Sequence, residues 1–210
     1  MKKAGEKEKP SIETGLKKHT KSRKQLEKEI LAFLNDASTK PGTSIAPGCQ
    51  LRHGLACVLA TVQDTIPRAT PVDFFNDGLV IWIAGEPGLK IRNIRSNPSV
   101  AVGIYHPVDH SKLNRSLQIQ VTATLLNLNS NKNEVIKRAK QFGIYQTLEK
   151  MVRERSAETG IDRRKLTEEV MNIIKRFNFI RIEPVEIIYL SIDPAMGTEK
   201  NVWKRETHNK

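Results

Sequence analysis

From Leu117 to Leu125 the chain alternates without interruption. Leu117, Ile119, Val121, Ala123 and Leu125 are apolar, and Gln118, Gln120, Thr122 and Thr124 between them are polar. Successive side chains of an extended chain point to opposite faces, so the segment predicts a strand with one face in a core. The other face carries amides and hydroxyls and no charge. In a chain that is 28% charged, such a face suits contact with a ligand or a second chain better than contact with bulk water.

Five further segments read as strands. His53 to Val62 is short, apolar and branched, and Arg68 to Phe75 resumes an extended pattern after a polar break. Asn76-Asp77-Gly78 predicts a hairpin turn leading into Leu79 to Ala84, because Asp-Gly tolerates positive φ. Val100 to Tyr105 follows, and Phe179 to Ile192 closes the set with Pro184 inside it, which marks an edge or a bulge. Six strand-like segments joined mainly by turns predict a barrel or sandwich rather than a βαβ sheet.

Helical spacing appears in three places. Leu26, Ile30 and Leu34 recur every fourth residue behind Ser22, a plausible N-cap. Leu89 to Ser96 predicts a short helix ended by Asn97-Pro98. Residues 132–177 predict a helical insertion carried by Val135, Phe142, Leu148, Leu166, Val170 and Ile174.

The 210 residues fit one domain, expected over 22–210. Residues 1–21 have little apolar content and read as a disordered basic tail. Residues 1–28 hold ten Lys/Arg and four Glu, a large part of the net charge of +12. The tail has no aromatic side chain on which a base could stack, so a solvated tail is preferred to a nucleic-acid-binding arm. Two cysteines, Cys49 and Cys57, make no disulfide framework, and no apolar run is long enough for a bilayer. A reduced, cytoplasmic setting without membrane contact is expected.

Several chemistries find no motif. There is no G-x-S-x-G elbow, no phosphate loop, no G-x-G-x-x-G and no Cys-x-x-Cys. His106 and His110 have helical ligand spacing with Pro107 between them, so no metal site is expected. His53 and Cys57 would share a strand face, leaving a Cys–His pair as a minor alternative. What remains is a set of phosphate-binding types between Arg68 and Arg95. Arg68 and Thr70 share a strand face, Gly85-Glu86-Pro87-Gly88 can expose amides, and Lys90 and Arg92 stand at a helix start, where the helix dipole favours an anion. The same residues also suit an ordinary charged surface.

Those blocks carry a resemblance. L-A-T-V-Q-D-T-I-P-R-A-T-P-V-D-F, then G-L-V-I-W-I-A, L-K-I-R-N-I-R-S-N-P-S-V-A-V and L-Q-I-Q-V-T-A-T-L stand in the order and with the gaps of the FMN-binding split-barrel superfamily, the pyridoxamine 5′-phosphate oxidase-like proteins. The resemblance implies a mainly β, α+β fold: an antiparallel six-stranded split β-barrel with flanking helices. It implies FMN as cofactor and a homodimer with the site between subunits. By position, Arg68 would pair with the FMN phosphate, and Ala69, Thr70, Pro71 and Val72 would run along the flavin. Ile83 and Ala84 match the pair ending the next strand, with alanine where a hydroxyl is frequent. Lys90 matches the phosphate-binding lysine, with Arg92 beside it, and Gln118 matches a flavin-contacting glutamine. Trp203 is similar to a C-terminal tryptophan of the oxidases. Asp73 stands where they have a lysine for the substrate phosphate, so a substrate other than pyridoxamine phosphate is expected. The implied activity is that of an FMN-dependent oxidoreductase of unknown substrate. The alternatives are a flavin reductase or haem-utilisation type split-barrel protein, or a non-enzymatic barrel with a basic nucleic-acid-binding arm.

Overall fold

A computed structural model of the chain describes residues 21–42, 51–156 and 162–206. Cys49 and the first twenty residues of the expected tail lie outside these. Helix α1 (Arg23–Ala37) begins at Ser22, whose hydroxyl accepts the Gln25 N–H at 3.3 Å. Leu26, Ile30, Phe33, Leu34 and Ala37 are buried along its inner face. Two short pieces, β1 (Lys40–Pro41) and β2 (Leu51–Arg52), pair with each other.

The main sheet follows. β3 (Cys57–Gln63) and β4 (Ile66–Val72) form a hairpin, and β5 (Phe75–Asp77) and β6 (Val80–Gly85) form another around Gly78, whose φ is +59°. The Asp-Gly turn is therefore as predicted. Helix α2 (Leu89–Ser96) leads into β7 (Ser99–Tyr105) and β8 (Asn114–Leu126). Helices α3 (Leu128–Gln141), α4 (Ile144–Arg155) and α5 (Arg163–Ile174) form the insertion, which starts four residues before the predicted 132 because Asn127 caps it. β9 (Asn178–Ile182), β10 (Glu186–Asp193) and β11 (Gly197–Lys204) end the described chain.

The long strand β8 is where the sheet divides. Its first half pairs with β10 and its second half with β9, while β7 lines its other side. β9 and β10 are the two halves of the single strand expected at Phe179–Ile192. The register along β8 slips by one residue between them: Ile182 faces Ala123, whereas Ile188 faces Gln118. One extra residue around Pro184 is a bulge, and it reverses the side-chain parity. Ile180 and Ile182 face the core before it, and Ile187 and Tyr189 after it. The six expected strands thus become the nine of the main sheet. Pro184 divides one, Asp73-Phe74 divides another, and β11 is added. His53 to Leu55 is not part of β3, which begins at Cys57.

Two apolar clusters result. One fills the barrel and is capped by α1. The other lies between the Trp82 side of β6 and the insertion helices, where Phe75 stacks on Phe142 at 4.8 Å between ring centroids. No described helix is long and apolar enough to cross a membrane.

Candidate functional site

β4 is the outermost strand of the sheet, so its prolines Pro67 and Pro71 cost little in lost ladder bonds. Cross-strand neighbours share a face. Arg68 stands opposite Thr61, Thr70 opposite Leu59 and Val72 opposite Cys57. Thr61, Leu59 and Cys57 are all buried, so Arg68, Thr70 and Val72 flank the inner face at the barrel edge. Asn93 of α2 donates to the Thr61 hydroxyl at 3.1 Å and ties the helix under this edge. Lys90 is one helical turn before Asn93. Its side chain lies across the end of β6, where Gly85 makes room: a Cβ there would stand 3.1 Å from Lys90 Cε.

The start of α2 has no side-chain cap, since its N-cap is Gly88. The first N–H groups of a helix have no partner within it. Arg92 is exposed on the same first turn. Among the described residues no carboxylate pairs with Arg68, Lys90 or Arg92, although Arg138, Arg153, Arg181 and Arg205 all have one. Arg68 on β4 and Lys90 and Arg92 on α2 thus belong to the two elements joined through Thr61 of β3 and Asn93, and the start of that helix has no side-chain cap.

Gln118 belongs to a different surface. Pro71, Val58, Gly103 and Gln118 form one row across β4, β3, β7 and β8, and Ala69, Ala60, Ala101 and Gln120 form the next. These rows are on the outer face of the sheet. Ala60, Ala101 and Gln120 of the second row, with Val62, Pro67, Ser99 and Thr122, line a shallow, uncharged groove of small side chains. Gln118 is exposed there, three strand spacings from β4, or roughly 14 Å. Within one chain it cannot meet the same small group as Arg68 on the inner side.

Two predicted contacts are placed elsewhere. Ile83 is fully buried in the barrel core, so only its backbone could meet a ligand. Trp203 is 3% exposed, and its indole N–H is given to Glu27 of α1 at 2.9 Å. Its one polar group is used to dock the helix, which removes it from the candidate site. Ala84 faces the insertion side and lines a small pocket of about 210 Å³ with Asp73, His53, Thr39, Phe75 and Leu148. His53 Nδ1 is 3.1 Å from an Asp73 carboxylate oxygen. The suggested Cys57–His53 pair is corrected by this geometry. Cys57 is buried inside the barrel, burial pushes its thiol up to about 12, and His53 lies outside the strand.

Sequence reasoning did not single out Asn93, and it named Gly85 for its backbone amide rather than for the room it leaves Lys90. The signal for Asn93 was its polar side chain on the apolar face of α2, beside Ile91 and Ile94.

Known proteins share this fold. A pyridoxamine 5′-phosphate oxidase-related, FMN-binding protein of Nostoc punctiforme superposes with a TM-score of 0.54 at 12% identity, over 89% of this chain and 91% of its own. PhzG of Burkholderia lata, solved with tetrahydrophenazine-1-carboxylic acid, does so with a TM-score of 0.51 at 16% identity, over 91% and 90%. Both share the fold. No curated protein sequence matches the chain. The sequence model of the family described as pyridoxamine 5′-phosphate oxidase matches residues 49–191, from just before β2 to near the end of β10. That span holds all of the barrel but β11, together with the insertion, and the chain belongs to the pyridoxamine 5′-phosphate oxidase family.

Proposed function

We propose that this protein is a homodimeric FMN-binding oxidoreductase whose flavin phosphate is held by Arg68, Lys90 and Arg92. The observation that carries the reading is that Lys90 and Arg92 stand on the uncapped first turn of α2, tied by Asn93 to the Thr61 that faces Arg68, and that none of the three cations has a carboxylate partner among the described residues. These groups have the chemistry a phosphate needs: guanidinium and ammonium donors, the Thr70 hydroxyl and the N–H groups of a helix start. The backbone of β4 from Ala69 to Val72 follows Arg68 along the strand and would flank the ring system.

Gln118 supports the homodimer. It lies on the uncharged outer face, apart from the cation cluster of its own chain, and a second copy docked on that face would bring it to the partner's cluster. Small side chains such as Ala60, Ala69 and Ala101, with Gly103, let two such sheets approach closely. Bound there, the flavin supplies the hydride or electron transfer, and the protein supplies binding, orientation and polarity. Asp73 and its partner His53 face the neighbouring pocket, so a substrate phosphate there would meet a carboxylate. Pyridoxamine 5′-phosphate is therefore excluded from the proposed substrates.

The test is the absorption spectrum of the purified protein, with light scattering on the same sample. A flavin spectrum, release of one FMN per chain on heating and a dimeric mass are expected. A colourless protein that takes up no FMN overturns the reading.

A further inference from the structure

A cavity of about 530 Å³ lies between α1 and the β10–β11 hairpin, and no residue of the proposed flavin site lines it. Its polar groups are Arg115 of β8, Tyr189, Ser191 and Asp193 of β10, Thr198 and Glu199 of β11, Glu29 of α1, and Lys21 just before that helix. The acids are partnered. Glu29 and Glu199 both meet Lys21, at 2.6 and 3.0 Å. Asp193 accepts the N–H groups of Ala195 and Met196 at 2.8 and 3.0 Å. Arg115 is different. Among the described residues it has no carboxylate partner, and its Nε is buried with no hydrogen-bond partner. Its neighbours are Tyr189, 2% exposed, which lines the same cavity, and the Phe33 ring, 6.0 Å from the guanidinium carbon to the centroid.

A buried guanidinium donor without an acceptor is costly, and a carboxylate is the group whose two oxygens match its fork. Leu113 and Met196, 42% and 74% exposed, give the cavity an apolar lip. The volume is within the range of small-molecule sites. We propose that this cavity binds a small monocarboxylate with an apolar body, the carboxylate on Arg115 and Tyr189 and the body along Leu113 and Met196. A second carboxylate on the ligand would meet Glu29, Glu199 and Asp193, so dianions are selected against. The site is independent of flavin.

Calorimetric titration of the full chain with octanoate, octylamine and octanedioate tests this. Octanoate binds saturably at one site per chain, octylamine gives no saturable heat, and octanedioate binds at least about tenfold more weakly. Arg115→Gln weakens octanoate roughly ten- to a hundredfold, and Arg115→Lys recovers part of the loss. Should Arg115→Gln lower the melting temperature, Ala32→Trp decides: Ala32 is exposed on α1 and lines the cavity, so the indole fills the space without entering the core. Lys90→Ala, which lies in the flavin site, leaves octanoate binding unchanged. Equal binding of octanoate and octylamine, octanoate binding that survives both Arg115→Gln and Ala32→Trp, or no saturable heat at millimolar octanoate would overturn the proposal.

Discussion

Arg138 on α3 and Arg68 on β4 both stand beside a strand edge, and their surroundings are opposite. Arg138 reaches Asp77 of the β5–β6 hairpin and Glu134 at 2.7 Å, and its guanidinium carbon lies 4.7 Å from the Trp82 ring centroid. Its side chain is 12% exposed, with Nε donating to Glu134 and Nη1 to Asp77 and Gln141. Arg68 is exposed and has no carboxylate partner among the described residues, and it faces the Thr61 to which Asn93 of α2 is tied. A satisfied arginine fastens the insertion to the barrel. An unsatisfied one, like Lys90 and Arg92, is arranged for a group that arrives from outside. The α1 side repeats the first pattern, with Trp203 giving its N–H to Glu27 and Arg23 lying over the same indole at 5.8 Å.

The largest effect expected is at this α1 contact. Trp203→Ala empties the base of the barrel core and should cost about 3–5 kcal/mol, read as a fall in denaturation midpoint. Trp203→Phe keeps most of the packing and should leave FMN affinity unchanged. A loss of flavin affinity in Trp203→Phe would return the tryptophan to the site and break the contrast between fastening and binding residues.

The next effect is at Arg138. Arg138→Gln removes charge-assisted bonds whose acids are partly solvated, so the cost is about 1–2 kcal/mol, with no change in FMN affinity. Burial alone would raise the Asp77 carboxyl, but the Arg138 hydrogen bond and charge outweigh it and hold Asp77 below its usual value. A carboxyl lowered in the folded state contributes its full stability above the unfolded value and loses it as pH falls through the folded one. Acid unfolding of the native chain should therefore steepen in and below the usual carboxylate range, and Arg138→Gln should flatten that part of the curve. An unchanged acid limb would show that the pair does not fasten the insertion.

The smallest effect expected is none. Deleting residues 1–20 should leave both the melting temperature and FMN affinity where they are. The segment has too little apolar surface to offset ordering at ~1–2 kcal/mol per residue. A large fall in melting temperature on truncation would show that the tail is structural.

The alternation at Leu117–Leu125, the N-cap of α1, the end of α2 at Asn97-Pro98 and the Asp-Gly turn were legible in the sequence because each is set by local chemistry. β11 was not. Its inward positions include Glu199 and Asn201 beside Trp203, so the strand shows no apolar period. It exists because eight register pairs hold it against β10. The division of the sheet was half legible. Pro184 signalled a bulge, but only the slip in register along β8 shows that one segment serves two sheets. Of the site, Arg68, Lys90 and Arg92 could be named from type and spacing. That Gln118 lies on the opposite face could not, because it depends on which strands stand between β4 and β8.

The central claim is that Arg68 and Lys90 hold a phosphate rather than decorate a surface, and titration of FMN and riboflavin into Arg68→Ala and Lys90→Ala, followed by fluorescence quenching, tests it directly. Each charge-assisted contact is typically worth about 1.5–3 kcal/mol, so each variant should bind FMN roughly ten- to a hundredfold more weakly while riboflavin, which has no phosphate, is nearly unaffected. Unchanged FMN affinity in both variants, or equal weakening of FMN and riboflavin, would contradict it.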